Sequence, residues 1–119
     1  RTAAQRFPGV FDKVKDAFRT SDSQLQSKFK HAPDFGVDGN WNSVNRERFR
    51  QALNQHVQGS ETVIGRYMRP SPFSAFHHYN PSTGRVVVQK ASTGEFVTGY
   101  TATPAQRGYL EDIGDLGGN

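Results

Sequence analysis

The stretch "HHYNPSTGRVVVQKASTGEFVTGY", residues 77–100, alternates short apolar runs with turn residues. "NPSTG", from Asn80 to Gly84, is a strong turn signal, rich in the residue types that favour turns. "RVVVQK" is a β-branched run, "ASTG" is a short hairpin-type connection, and "EFVTGY" reads as the returning strand. Upstream, "ETVIGRYMRP" (61–70) and "FSAFHHYN" (73–80) have the same texture. Residues 61–101 are therefore most simply a meander of about four antiparallel strands.

The flanks read as helices. Phe7, Val10, Phe11, Val14 and Phe18 recur at helical spacing, with Pro8 suited to a first turn. They predict an amphipathic helix over residues 7–19, with Lys13, Asp16 and Arg19 on its solvated face. Asp22 or Ser21 caps a second helix, which turns Leu25 and Phe29 inward and stops at Pro33. "DFGVDGNWN" (34–42) is a loop. Ser43 then caps a third helix, with Val44, Phe49, Ala52, Leu53 and Val57 inward and Arg46, Arg48 and Arg50 mostly outward. After the strands, "TPAQRGYLEDIG" (103–114) is a short helix with Thr103 as N-cap, Pro104 at the first position and Gly114 at the end. The expected fold is α+β in one domain, residues 1–119, with the N-terminal helices packed on one face of the antiparallel sheet and a short C-terminal helix.

Composition agrees with one modest core. The chain has 119 residues and is 34% hydrophobic, and nine Phe, four Tyr and one Trp supply bulky core material. The mean hydropathy is −0.74. No run approaches the roughly 18 apolar residues of a membrane span, and no signal-peptide pattern is present. Without an initial Met, the chain is expected to be a piece of a longer protein or a processed product. The absence of cysteine excludes disulfides, thiolate metal sites and cysteine nucleophiles. Net charge is +4, and it is unevenly placed. Residues 1–31 carry seven Lys/Arg against three Asp, whereas residues 32–119 carry eight of each sign. Such a basic pole suits either a phosphate polymer or plain solvation.

Few residue patterns point to chemistry. His31, His56, His77 and His78 have no metal-ligand spacing. Neighbouring His77 and His78 point to opposite faces of a strand, and His56 ends a helix, where positive charge is favourable. Glu111, Asp112 and Asp115 read as a solvated cluster. "KFKHAPDFG" (28–36) differs, because it crowds Lys28, Lys30 and His31 at the end of a helix. Lys28 and His31 share a helical face, and the ammonium groups disfavour the imidazolium. A neutral imidazole takes a proton at neutral pH, and lysines stabilise charge on a phosphorane. RNA carries its own nucleophile in the 2′-hydroxyl, so such a group needs no metal. Taken alone, the cluster is a weak signal, and a solvated helix terminus is the simpler reading.

"KFKHAPDFG" resembles the motif around the catalytic histidine of the colicin D nuclease family. "HHYNPSTGRVVVQKASTGEFVTGY" resembles that family's later stretch, in which a Tyr/Asn/Pro turn precedes a Val-rich strand and a Phe-x-Ser-Gly-Trp-like strand. The same pattern is found in toxin domains of contact-dependent growth inhibition systems. The likeness runs from about residue 22 to residue 114 and leaves an additional N-terminal helix, residues 1–20, unmatched. It implies the architecture of barnase-like, colicin and RelE-like microbial ribonucleases, and a metal-independent endoribonuclease that cuts tRNA in the anticodon loop. No cofactor is implied.

Carried over by position, the resemblance makes His31 the general base or acid and sets Lys28 and Lys30 on the scissile phosphate. Thr98 replaces the family's serine and would hydrogen-bond phosphate. Tyr100 replaces its tryptophan and would stack on a base. Thr98 and Tyr100 alternate correctly to share one strand face. The second proton-transfer group would be Lys28, Lys30 or Tyr100, with His78 as a further auxiliary. The implied setting is a secreted or surface-delivered toxin, acting in the target-cell cytoplasm, held in check by an acidic immunity protein and without stable membrane association. The rival readings are a non-catalytic nucleic-acid-binding module and a protein-interaction module of a larger secreted toxin.

Overall fold

A computed structural model describes residues 12–117. Helix α1 (Asp12–Asp16) and helix α2 (Asp22–Ser27) lead into a 3₁₀ segment, Phe29–Phe35, and then into the long helix α3 (Ser43–Gly59). Strands β1 (Glu61–Tyr67), β2 (Phe73–Tyr79), β3 (Arg85–Lys90) and β4 (Phe96–Thr101) follow. Helix α4 (Pro104–Ile113) and the two-residue β5 (Asp115–Leu116) complete the described chain. The sheet order is β4-β3-β2-β1-β5. The meander from β1 to β4 is antiparallel as expected, and β5 adds a parallel pairing with β1 that a two-residue segment could not announce.

Both sheet faces are covered, which refines the expectation of helices on one face only. In the run Val86-Val87-Val88 every residue is buried. Val87 meets Leu25, Phe49, Leu53 and Val57 on the face covered by α2 and α3. Val86 and Val88 join Val63, Ala75 and Tyr79 on the other face, under Leu110 of α4 and Leu116. A continuous apolar run is what a strand buried on both sides requires. Tyr79 is held on this second face, its hydroxyl accepting from Arg107 Nε at 2.9 Å and donating to Glu111 at 3.4 Å. Glu111 is thus engaged rather than simply solvated, and Asp115 pairs with Arg66 at 2.7 Å.

The helix ends show which local signals hold. Thr103 and Gln106 form a reciprocal capping box, and Gly114 closes α4, as the sequence predicts. Ser21, not Asp22, caps α2 by accepting from the Gln24 N–H at 3.2 Å. Asn42, not Ser43, caps α3, its Oδ1 accepting from the Asn45 N–H at 2.8 Å. Val44 consequently falls in the first turn on the outer face and is 59% exposed. Pro33 does not stop the second helical run. The α-helix ends earlier, at Ser27, and the chain tightens into a 3₁₀ segment that passes through Pro33. A prolyl φ near −65° is admissible in a 3₁₀ helix, whose φ runs from about −50 to −70°. Gly36, at φ 81°, ends the segment, its N–H bonding to Pro33 O at 3.0 Å.

Much of the expected first helix, residues 7–19, falls outside the described residues, including Phe7, Val10 and Phe11. Its described part ends at Asp16, before Phe18, and Arg19 pairs with Glu95 as an isolated bridge. Lys13, Asp16 and Arg19 are exposed as expected. Lys15 is not part of a basic surface: it is buried, and its ammonium donates to Ser60 O at 2.8 Å and Gln58 O at 3.2 Å. Those carbonyls lie at the C-terminal end of α3, which offers acceptors and partial negative charge.

Candidate active site

The 3₁₀ segment has three residues per turn, so residues three apart eclipse one another. Lys28 at its cap, His31 and Asp34 therefore line one edge, with Lys30 beside them. Two contacts clamp this edge to β4. Asp34 Oδ2 accepts from the Thr101 N–H at 3.0 Å. The Phe35 ring lies over Gly99, where an added Cβ would sit 3.1 Å from Phe35 Cζ. Gly99 thus admits the close approach from one sheet face, while Thr98 and Tyr100, on either side of it, project from the other.

The result is a cleft of about 440 Å³ lined by Lys28, Lys30, His31 and Asp34, by Thr98, Tyr100 and Thr101 of β4, and by Tyr67, Arg69, Gln106 and Gly117. The His31 and Tyr100 ring centroids are 5.9 Å apart. Thr98 lies at the floor, 2% exposed. The Lys28 and Lys30 ammonium groups make no hydrogen bond or ion pair among the described residues, and both side chains line the cleft.

Electrostatics tune His31 to be neutral. Burial is the main cause that lowers its pKa below 6.5, with Lys30 and, more weakly, Lys28 acting the same way against the opposing pull of Asp34. The direction agrees with the reading from the sequence, but burial outranks lysine repulsion. Tyr100 moves oppositely: burial, with a contribution from Tyr67, raises its phenol well above the ordinary value, so it stays protonated and is a weak acid.

A sequence model of the Colicin D family matches residues 24–110, a span that holds the Lys28–Asp34 edge and all of β4. The chain belongs to the colicin D family. Colicin-D of Escherichia coli is 40% identical over 101 residues, which is 81% of this chain. The chain spans only 14% of that relative's length. Among solved structures, a ribonuclease from Escherichia coli complexed with its inhibitor protein superposes with a TM-score of 0.64 at 38% identity. That match covers 78% of this chain and all of the other.

Within this colicin D family fold, Lys28, Lys30, His31, Thr98 and Tyr100 come together, and His78 does not. His78 is fully buried on the α3-facing side of the sheet, where Val87 pairs with it. Its Nε2 donates to Gln89 Oε1 at 2.7 Å, and Thr62 lies 3.3 Å from its Nδ1. Strand alternation turns it away from Thr98 and Tyr100, so the auxiliary role is corrected to a structural one. His56 donates from Nε2 to His78 O at 2.8 Å, and burial lowers its pKa; it is a neutral packing residue, not a cationic helix terminus. His77, on the opposite face, bonds Arg66 O at 3.1 Å.

Asp34, Tyr67, Arg69 and Gln106 escaped the sequence reading. Only Asp34 left a trace there, as the third member of the Lys28, His31, Asp34 repeat. The others reach the cleft from β1, the segment after it and α4, through tertiary packing.

Proposed function

We propose that this chain is the nuclease domain of a bacterial toxin, an endoribonuclease that cuts tRNA in its anticodon loop. The observation that carries the reading is the meeting of His31, Lys28, Lys30, Thr98 and Tyr100 in one cleft of a colicin D family fold. The 2′-hydroxyl of the substrate attacks the adjacent phosphorus and displaces the 5′-oxygen, leaving a 2′,3′-cyclic phosphate and a 5′-hydroxyl. His31, neutral at pH near 7, takes the 2′-hydroxyl proton or returns one to the leaving oxygen. Lys28 and Lys30 hold the phosphate and offset the charge that develops on its oxygens, with the Thr98 hydroxyl as a further donor. Tyr100 presents a ring to an unpaired base. In this reading the chemistry draws on no metal.

The setting follows from the same reading. A larger secreted or surface-delivered protein, of the contact-dependent inhibition type, would carry the domain to the cytoplasm of a competing cell. The producer would be protected by an immunity protein whose carboxylates stand in for RNA phosphates at the basic cleft. Incubating the chain with total tRNA, with and without EDTA, and mapping the cut ends tests the proposal. Cleavage in anticodon loops that survives EDTA and drops at least about a hundredfold in His31→Ala supports it. Binding without product in the parent chain would leave only a nucleic-acid-binding module.

A further inference from the structure

The proposed chemistry uses the Lys28–His31 edge and β4, and it leaves Tyr67 and Arg69 without a role. Tyr67 ends β1, three strands from β4 in the sheet order, yet both line the same cleft. Its ring is half-buried, beside Phe73 at 5.8 Å between centroids and close to Gly117, where an added Cβ would sit 2.8 Å from the ring. Arg69 is exposed and makes no hydrogen bond or ion pair among the described residues. Tyr67, Arg69 and Tyr100 line the same cleft.

We infer that Tyr67 and Arg69 form a second nucleotide subsite, which holds the unpaired nucleotide next to the scissile bond. Tyr67 stacks on its base and Arg69 pairs with its phosphate. This deepens the ribonuclease reading and rests on it for the identity of the first phosphate site. One phosphate is served by Lys28 and Lys30. Arg69, without an ion pair among the described residues, is a third cation in a cleft whose lining holds one carboxylate, Asp34, and a second phosphate would offset that excess. A guanidinium offers the parallel pair of N–H donors that fits phosphate oxygens. Two tyrosines in one cleft call for an exposed base face, which an unpaired nucleotide has and a stacked base pair lacks. The ligand is thus single-stranded RNA of at least two nucleotides, not duplex.

The test uses the His31→Ala chain, so that RNA is bound without being cut, and reads anisotropy with labelled short RNAs of randomised sequence across a salt series. A blunt RNA duplex is the comparison probe. Adding Arg69→Gln is expected to weaken single-strand binding about tenfold and to flatten the salt dependence by about 0.7, the share of one phosphate contact. Tyr67→Leu is expected to cost about tenfold or more, with Tyr67→Phe restoring binding. Neither change should alter duplex binding. Single-strand binding and salt slope unchanged by Arg69→Gln, or equal losses on the duplex, overturn the subsite. If Tyr67→Leu fails to fold, as thermal melting will show, Arg69→Gln at its exposed position still decides. A parent chain that cuts no tRNA ends the ribonuclease reading, while the binding measurements still decide the subsite.

Discussion

His31 and Tyr100 face each other with ring centroids 5.9 Å apart and planes tilted by 48°, although one rides on the 3₁₀ segment and the other on β4. The Asp34–Thr101 hydrogen bond and the Phe35–Gly99 contact set this separation. Tyr100 therefore walls the imidazole as well as offering a stacking face. Tyr100→Ala is expected to lower kcat/KM on tRNA by about tenfold or more, from lost stacking. It should also raise the His31 pKa toward 6.5, because burial is the main cause of its depression. Tyr100→Phe should leave both near the parent. A pH–rate profile in which Tyr100→Ala does not move the His31 limb would separate the two residues functionally.

Charge changes beside His31 should move that limb in opposite directions. Lys30 lowers the imidazole pKa and Asp34 raises it. Lys30→Gln is thus expected to shift the limb to higher pH, and Asp34→Asn to lower pH. Asparagine keeps an acceptor for the Thr101 N–H, so the clamp on β4 persists. The directions hold whether His31 acts as base or acid. Direct titration of His31 by NMR checks them, and a common direction for both variants contradicts the arrangement.

Lys15 is a stability residue outside the span matched by the family model. Its buried ammonium serves Ser60 O and Gln58 O, 45 and 43 residues away in sequence. Lys15→Met would leave the end of α3 short of donors and cost about 2–3 kcal/mol. Thermal unfolding should show a lower Tm, while kcat on tRNA changes little below the new Tm. An unchanged Tm would mean that solvent satisfies these carbonyls.

His77 and His78 make the fold acid-sensitive. Burial lowers each to about 4, against an ordinary value of 6.5. Below 6.5 the unfolded chain takes up protons that the folded chain refuses, so stability falls as pH drops through this window. By pH near 4 each histidine contributes a loss of about 3 kcal/mol. Denaturant unfolding at pH values spanning the window measures it. A flat stability between about pH 6.5 and 5, where few carboxylates titrate, would show that neither histidine is kept neutral by folding.

The strands and α4 were legible because their signals are local. "NPSTG" and "ASTG" set turns, β-branched runs set strands, and Thr103, Pro104 and Gly114 bracket one helix. The 3₁₀ passage through Pro33 was not legible. Steric preference at the residue before proline argues for a helix end, and the Phe35–Gly99 and Asp34–Thr101 contacts overrule it. The burial of Lys15 was hidden for a similar reason, since its partners belong to the distant end of α3.

For the candidate site, the sequence by itself determined which side chains travel together. Three-residue spacing puts Lys28 and His31 on one edge, and strand alternation puts Thr98 and Tyr100 on one face and His77 opposite His78. Only the tertiary structure decided that these two sets meet, that Asp34, Tyr67, Arg69 and Gln106 join them, and that His78 does not. Local periodicity assigns a side chain to a face. Which faces close on one another depends on the packing of both sheet faces at once, and that is settled by contacts between residues far apart in the chain.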